Sequence, residues 1–205
     1  MNLGLVVEGH GEVEAVPILV RRIAAWAGFE EPIVIPAPLR VHRSSIVKEG
    51  ELERAVELTA RKVGEGGPIL IVLDADDDAS CELAPALLER AKRARSDRGI
   101  GVVIAVHEFE AWFLAAAESL RGARSLPSDL TAPVEPEGIK SPKAWLDARM
   151  VDGYSETLEQ PKLAARFDID TARTAYSFDK LVREVCRLLA IEPPARRGQQ
   201  AEADS

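Results

Sequence analysis

Three unbroken apolar runs punctuate the first half of the chain: Leu3-Gly4-Leu5-Val6-Val7, Ile69-Leu70-Ile71-Val72-Leu73 and Val102-Val103-Ile104-Ala105-Val106. Continuous apolar character, rather than alternation, is what a strand buried on both faces requires. The runs predict strands over residues 3–8, 69–73 and 100–106, and Pro32 to Ala37 predicts another. Between the runs, apolar residues recur at helical spacing. Val13, Val16, Pro17, Val20, Ile23 and Ala24 predict a helix that stops at Gly28, with Pro17 loosening or delaying its first turn. Leu52, Ala55, Val56, Thr59, Ala60 and Val63 predict a second helix, ended by Gly64. Leu83, Leu87, Leu88 and Ala91 set a third over 82–95, and Phe109, Trp112, Phe113, Ala116 and Leu120 mark a fourth. Strands alternating with helices in this way predict an α/β fold, a mostly parallel four-stranded sheet flanked by helices.

Near Leu120 the pattern changes. Residues 121–142 are rich in Pro, Ser, Gly and charge without periodicity, and read as a long loop. Short helices are predicted over 142–150, 156–167 and 177–190, the last with Ser177 as N-cap and Phe178, Leu181, Val182, Val185 and Leu189 turned inward. From Glu192 the chain is polar and poor in apolar residues, which predicts a disordered tail. The expected organisation is an α/β domain over 1–118, a linker with a helical extension over 119–191, and the tail over 192–205.

Composition narrows the function classes. Hydrophobic residues make up 46% of the 205 positions and charged residues 29%, as in a soluble globular protein. No apolar stretch is long enough to span a bilayer, and no basic segment precedes the first apolar run as it would in a signal peptide. A cytoplasmic location without membrane attachment is the expectation. Cys81 and Cys186 are far apart in sequence and form no metal-ligand spacing, so they read as free thiols in a reducing compartment. The formal net charge of -8 argues against nucleic-acid binding through bulk electrostatics. Local basic clusters remain. Arg40, His42, Arg43 and Lys48 fall in the loop predicted over 38–50 and are the better candidates for phosphate contact. Arg90, Lys92, Arg93, Arg95 and Arg98 read as a solvated helix face.

Acids stand at the ends of the predicted strands. Glu8 closes the first run and is followed by Gly9-His10-Gly11-Glu12. Asp74, Asp76 and Asp78 close the second, and Glu108 and Glu110 follow the third. In an open parallel sheet the carboxyl ends of the strands line one edge, where ligands bind. Crowded carboxylates repel unless a cation lies between them, and hard oxygen ligands suit Mg²⁺ or Mn²⁺. On an extended strand Asp74, Asp76 and Asp78 point one way and Asp77 the other. Such a cluster suits phosphoryl transfer by one or two metals, with Glu8 as a ligand or as a general acid or base. Glu108, nearer the strand end, is preferred over Glu110 to complete the site. The plainer alternative is that the Asp run forms a turn and a helix cap. Glu12 and Glu14 read as acids at a helix N-terminus, and His107 as a polar edge residue.

These residues resemble the TOPRIM fold, the catalytic domain shared by topoisomerases, DnaG-type primases and nucleases of the overcoming-lysogenization-defect type. Val6-Val7-Glu8-Gly9 with Glu12 is similar to its first motif, and Leu73-Asp74-Ala75-Asp76 to its Asp-x-Asp. The likeness covers roughly the first 118 residues. More narrowly, His107-Glu108-Phe109-Glu110-Ala111-Trp112, with Pro142-Lys143, Tyr154 and Ser177-Phe178, resembles a bacterial TOPRIM-like family of unknown function often encoded beside ATPases in defence loci. The resemblance implies Glu8, Asp74 and Asp76 as catalytic and metal-binding acids, with Asp78 and Glu108 or Glu110 beside them. It also implies a nucleic-acid substrate, DNA or RNA, and a partner ATPase. One departure is that a Lys expected near the Tyr-Ser pair is replaced here by Glu156, leaving Lys143 or Lys162 as substitutes. A metal-dependent nuclease is therefore the leading expectation, and a regulatory or adaptor subunit that keeps the fold is the alternative. A Walker-type NTPase is disfavoured because no Gly-x-x-x-x-Gly-Lys-Ser/Thr loop occurs.

Overall fold

The computed structural model describes residues 1–75 and 80–196. Asp76 and Asp78, and the part of the expected tail over 197–205, lie outside the described residues. Strands β1 (Gly4–Val7), β2 (Leu39–Arg40), β3 (Ile69–Asp74) and β4 (Ile100–Ala105) form one all-parallel sheet in the order β2-β1-β3-β4. The register pairs Val7 with Arg40 and with Val72, and Asp74 with Ala105. The carboxyl ends of all four strands therefore open on the same edge. The alternation predicted from the apolar runs is the alternation observed, and the fold is Rossmann-like α/β.

The strand expected over Pro32 to Ala37 does not form. That segment makes a single bridge, Asn2 to Val34, and pairing with β1 is delayed to Leu39–Arg40. Pro32, Pro36 and Pro38 have no N–H to give to a ladder, which accounts for the shift. The loop expected to follow instead holds β2 and a short helix, α2 (Arg43–Ile46).

Both faces of the sheet are covered, as the continuous apolar runs require. Val6, Ile69, Ile71, Leu73, Val102 and Ile104 face α3 (Glu51–Val63) and α4 (Ser80–Ala94). Gly4 permits α3 to lie close, since a side chain there would collide with Thr59 and Val63. Leu3, Leu5, Val7, Leu70, Val72, Val103 and Ala105 face the second layer. That layer contains α1 (Glu12–Trp26), which accommodates Pro17 inside it, and the short α5 (Ala111–Ala115), with α6 (Pro142–Asp147), α7 (Glu156–Ala164), α8 (Ile169–Ala172) and α9 (Tyr176–Leu188). α9 runs along β4, and α7 packs on α1, so the segment beyond residue 118 shares one core with the sheet. Aromatic rings tie the two parts together. Phe109 lies 4.7 Å from Trp112, Trp112 5.5 Å from Phe178, and Phe178 5.3 Å from Phe167, each between ring centroids. Among the described residues no helix is long and apolar enough to cross a membrane.

Ser177 has a different job from the N-cap expected of it. Ala175 holds the N-cap position of α9, and the backbone N–H groups of Tyr176 and Ser177 donate to Glu137, in a 3-10 turn between α5 and α6, at 2.8 and 2.9 Å. A carboxylate at a helix N-terminus satisfies orphan donors and suits the helix dipole. Freed from capping, the Ser177 hydroxyl points inward and accepts the Trp112 indole N–H at 2.8 Å. Replacing Ser177 by Ala leaves that buried N–H unpaired, with an expected loss of about 1–3 kcal/mol in chemical denaturation. Ser177→Asp, which would be tolerated at an N-cap, is expected to cost more than Ser177→Ala; equal or greater stability of the Asp variant would contradict the inward role.

Candidate functional site

The site is built at the edge where the strands end. Glu8 follows β1 directly, and its Oε1 accepts the N–H of Arg43 at 3.2 Å. Arg43 in turn donates from Nη1 to the carbonyl of Ala75, just beyond β3, at 3.2 Å. Arg40 Nη1 reaches the carbonyl of Glu8 at 3.5 Å and lies 3.0 Å from His42 Nε2. The segment after β2 thus folds across the ends of β1 and β3. Of the four residues expected to contact phosphate, Arg40, His42 and Arg43 sit on the Glu8 side of the acids, with Arg43 itself buried, while Lys48 lies past the end of α2, its carbonyl accepting from Arg90.

Three further carboxylates are buried in the same corner: Glu12 is 2% exposed, Asp74 8% and Glu110 0%. Glu12 begins α1, and its Oε2 accepts the backbone N–H of Glu8 at 3.0 Å, closing the Gly-rich turn on itself. Asp74 Oδ1 accepts the backbone N–H of Phe109 at 2.8 Å, which draws the end of β4 toward the end of β3. Burial pushes the Glu12 carboxyl up to about 7, with the charges of Glu110 and Glu8 adding to the shift against backbone hydrogen bonds that oppose it. Burial likewise raises Asp74 well above the usual range, helped by Glu12 and Glu110 and opposed by Lys143. Glu110 is raised for the same first reason, opposed by Lys143 and by its hydrogen bonds to Gln160 and Tyr154.

The helical extension forms the opposite wall. Glu110 Oε1 accepts the Tyr154 hydroxyl at 2.8 Å and the Gln160 side-chain amide at 2.7 Å. Glu110 Oε2 is buried with no hydrogen-bond partner among the described residues. Glu108, the preferred glutamate on sequence grounds, turns the other way. Its Oε2 accepts the backbone N–H of Lys143 at 2.8 Å and so tethers the start of α6 to the strand end. Lys143 Nζ lies 2.9 Å from Glu156 Oε1 and 4.0 Å from Asp74 Oδ2. Burial pulls the ammonium pKa down, but Glu110, Glu156 and Asp74 more than offset this and raise it overall. α7 closes directly on the turn after β1: any side chain at Gly11 would collide with Gln160 and with the backbone of Glu156.

Of the acids singled out by sequence, Glu8, Asp74 and Glu110 gather at this edge, whereas Asp76 and Asp78 lie outside the described residues. Among the described residues no three His, Cys, Asp or Glu side chains converge into a ready-made metal cage. The chemistry of the donors nevertheless fits a hard divalent cation: carboxylate oxygens dominate, and one buried oxygen of Glu110 is unclaimed. Sequence reasoning missed Glu12 as a member of the cluster. Its spacing of four from Glu8 across a Gly-containing turn was the available signal. It also had no means of assigning Gln160 or Tyr154 to Glu110, since those contacts span 50 and 44 positions.

A family model described as a domain of unknown function (DUF4276) matches residues 7–185, and the chain belongs to that family. The match begins just before Glu8 and includes α6 and α7, so the acid edge and the wall that closes it lie within one family unit. No curated protein and no solved structure matches the chain.

The burial of these acids has a consequence for stability. Glu12 titrates at about 7 when folded against an ordinary value of 4.5. Between those values the native state keeps a proton that the unfolded chain has lost, so stability falls as pH rises through this window. The melting temperature is expected to drop between about pH 5 and about pH 8. Glu12→Gln, which keeps an acceptor for the Glu8 N–H, is expected to flatten that slope while leaving the part due to Asp74 and Glu110. An unchanged slope in thermal melts would contradict the assignment.

Proposed function

We propose that this protein is a divalent-cation-dependent phosphoryl-transfer enzyme, and that its substrate is a nucleic acid, DNA or RNA, cut as by a nuclease. One observation carries the reading: buried Asp74 and Glu110 and half-buried Glu8, from three strand ends, meet at the carboxyl edge of a parallel sheet, where one oxygen of Glu110 has no partner among the described residues. Buried carboxylates without enough positive charge are unstable neighbours, and a hard cation is the usual remedy. Glu8, Asp74 and Glu110, together with Asp76, would hold the ion. A Mg²⁺ or Mn²⁺ ion held there would supply Lewis-acid activation of water and offset negative charge on a phosphate.

The protein's own side chains supply orientation and charge. Arg43 and Glu12 hold the Glu8 turn, the first through its N–H on Glu8 Oε1 and the second through the Glu8 N–H. Tyr154 and Gln160 fix the Glu110 carboxylate. Arg40, with His42 beside it, on one side and Lys143 on the other place positive charge along the flanks of an acidic floor, an arrangement suited to a phosphodiester chain crossing it. The resemblance to TOPRIM domains supports the same reading, and the narrower resemblance adds a partner ATPase and a role in anti-phage defence.

A regulatory or adaptor subunit that kept the fold is the competing reading. It is favoured by Lys143, whose ammonium already compensates part of the acidic charge through Asp74 and Glu156. Incubation with single-stranded and duplex DNA and RNA in Mg²⁺ or Mn²⁺ separates the two. Asp74→Asn retains the acceptor for Phe109 and is expected to lower cleavage by about a hundredfold or more while leaving the thermal melt cooperative. Full cleavage by the variant would overturn the catalytic role of Asp74, and no cleavage of any substrate by the wild type would favour the adaptor.

A further inference from the structure

The cation already present at the site is part of the chain. α6 begins at Pro142, and Glu108 anchors the Lys143 backbone N–H at 2.8 Å, so the origin of the Lys143 side chain is fixed relative to the end of β4. From that origin the ammonium reaches two carboxylates on different elements, Glu156 at the start of α7 and Asp74 at the end of β3. Its charge is also felt by Glu110, deeper in the same corner. The 4.0 Å separation from Asp74 is a pairing by field, whereas the 2.9 Å separation from Glu156 is a direct hydrogen-bonded ion pair. Lys143 is thus shared between a buried acid and a rim acid and belongs wholly to neither.

We infer that Lys143 is a tethered counter-ion that competes with the divalent cation for the acid edge, so that its charge sets how tightly the edge binds metal. The inference rests on the reading of Glu8, Asp74 and Glu110 as a divalent-cation site. A +2 ion among these carboxylates and an ammonium 4.0 Å from one of them would repel, because Asp74 and Glu110 are buried and little water screens that side. Metal entry therefore requires Lys143 to move away from Asp74 while it keeps its pairing with Glu156. The structure provides room for that movement: a cavity of about 290 Å³ adjoins the ammonium on the outer side, lined by Lys143, Ala144, Asp147, Tyr154 and Glu156. The lysine stem is flexible, and its compact charge can change partners without moving the backbone. With metal absent, Lys143 keeps the buried acids from facing one another uncompensated. With metal present, Glu156 alone keeps the lysine charge.

The test is calorimetric titration of Mn²⁺ into the full chain, comparing wild type with Lys143→Met, Lys143→Gln and Lys143→Arg, each first checked for a cooperative thermal melt. Met and Gln keep much of the stem and remove the charge, and together they guard against one variant failing to fold. Both are expected to bind Mn²⁺ at least about tenfold more tightly than wild type, while Arg, which keeps the charge, stays near it. Unchanged or weaker binding in the neutral variants, with wild-type binding abolished by Asp74→Asn, would overturn the competition and leave the metal site standing. Absence of Mn²⁺ binding in every form would overturn both.

Discussion

Burial of carboxylates side by side is the constraint on which the rest of this structure depends. Glu12, Asp74 and Glu110 lie in one low-dielectric corner, where burial raises the pKa of all three, Glu110 adds to the shifts of Glu12 and Asp74, and Glu12 adds to that of Asp74. Such a group persists only where donors and positive charge converge on it. They come from segments far apart in sequence: the Glu8 and Phe109 backbone N–H groups, Tyr154 and Gln160 from the extension, and Lys143 from the start of α6. The acids and the helical extension are therefore two halves of one arrangement. The extension closes the site because the acids at the strand ends need what it carries.

The architecture serves that closure. Parallel pairing brings the ends of β1, β3 and β4 to one edge, and apolar side chains on both faces of the sheet hold the register. The aromatic cluster running from Phe109 through Trp112 to Phe178 and Phe167 fastens the extension to the end of β4. Gly11, at the mouth of the turn after β1, has no side chain to hold α7 away from Glu110. A small steric fact at one residue thus bears on how a buried charge is compensated.

Much of the fold was legible in the chain because burial on both faces writes itself as unbroken apolar runs, and α3 and α9 as strong helical periodicity. The strand misplaced to Pro32–Ala37 shows where that reading stops: apolar residues were present, but three prolines removed the donors a ladder needs. Ser177 shows a second limit. Its residue type suits an N-cap, yet Glu137, 40 positions earlier, meets the Ser177 N–H and frees the hydroxyl for Trp112. At the site, Glu8 and Asp74 could be found because position at a strand end is a local property. The choice between Glu108 and Glu110 could not be made locally, because it depends on where Lys143, Tyr154 and Gln160 arrive after a long loop. Glu12 looked like any acid at a helix start, and only its burial distinguishes it.

The central claim is that the acid edge is a divalent-cation site. Anomalous diffraction from crystals soaked in Mn²⁺ tests it without reference to any substrate. The expected result is a peak within coordination distance of Asp74, Glu8 and Glu110, with the Lys143 ammonium held by Glu156 and farther from Asp74 than 4.0 Å. A map with no peak there at full Mn²⁺ loading, and with Lys143 still 4.0 Å from Asp74, would contradict the account and make the cluster a structural ion-pair network.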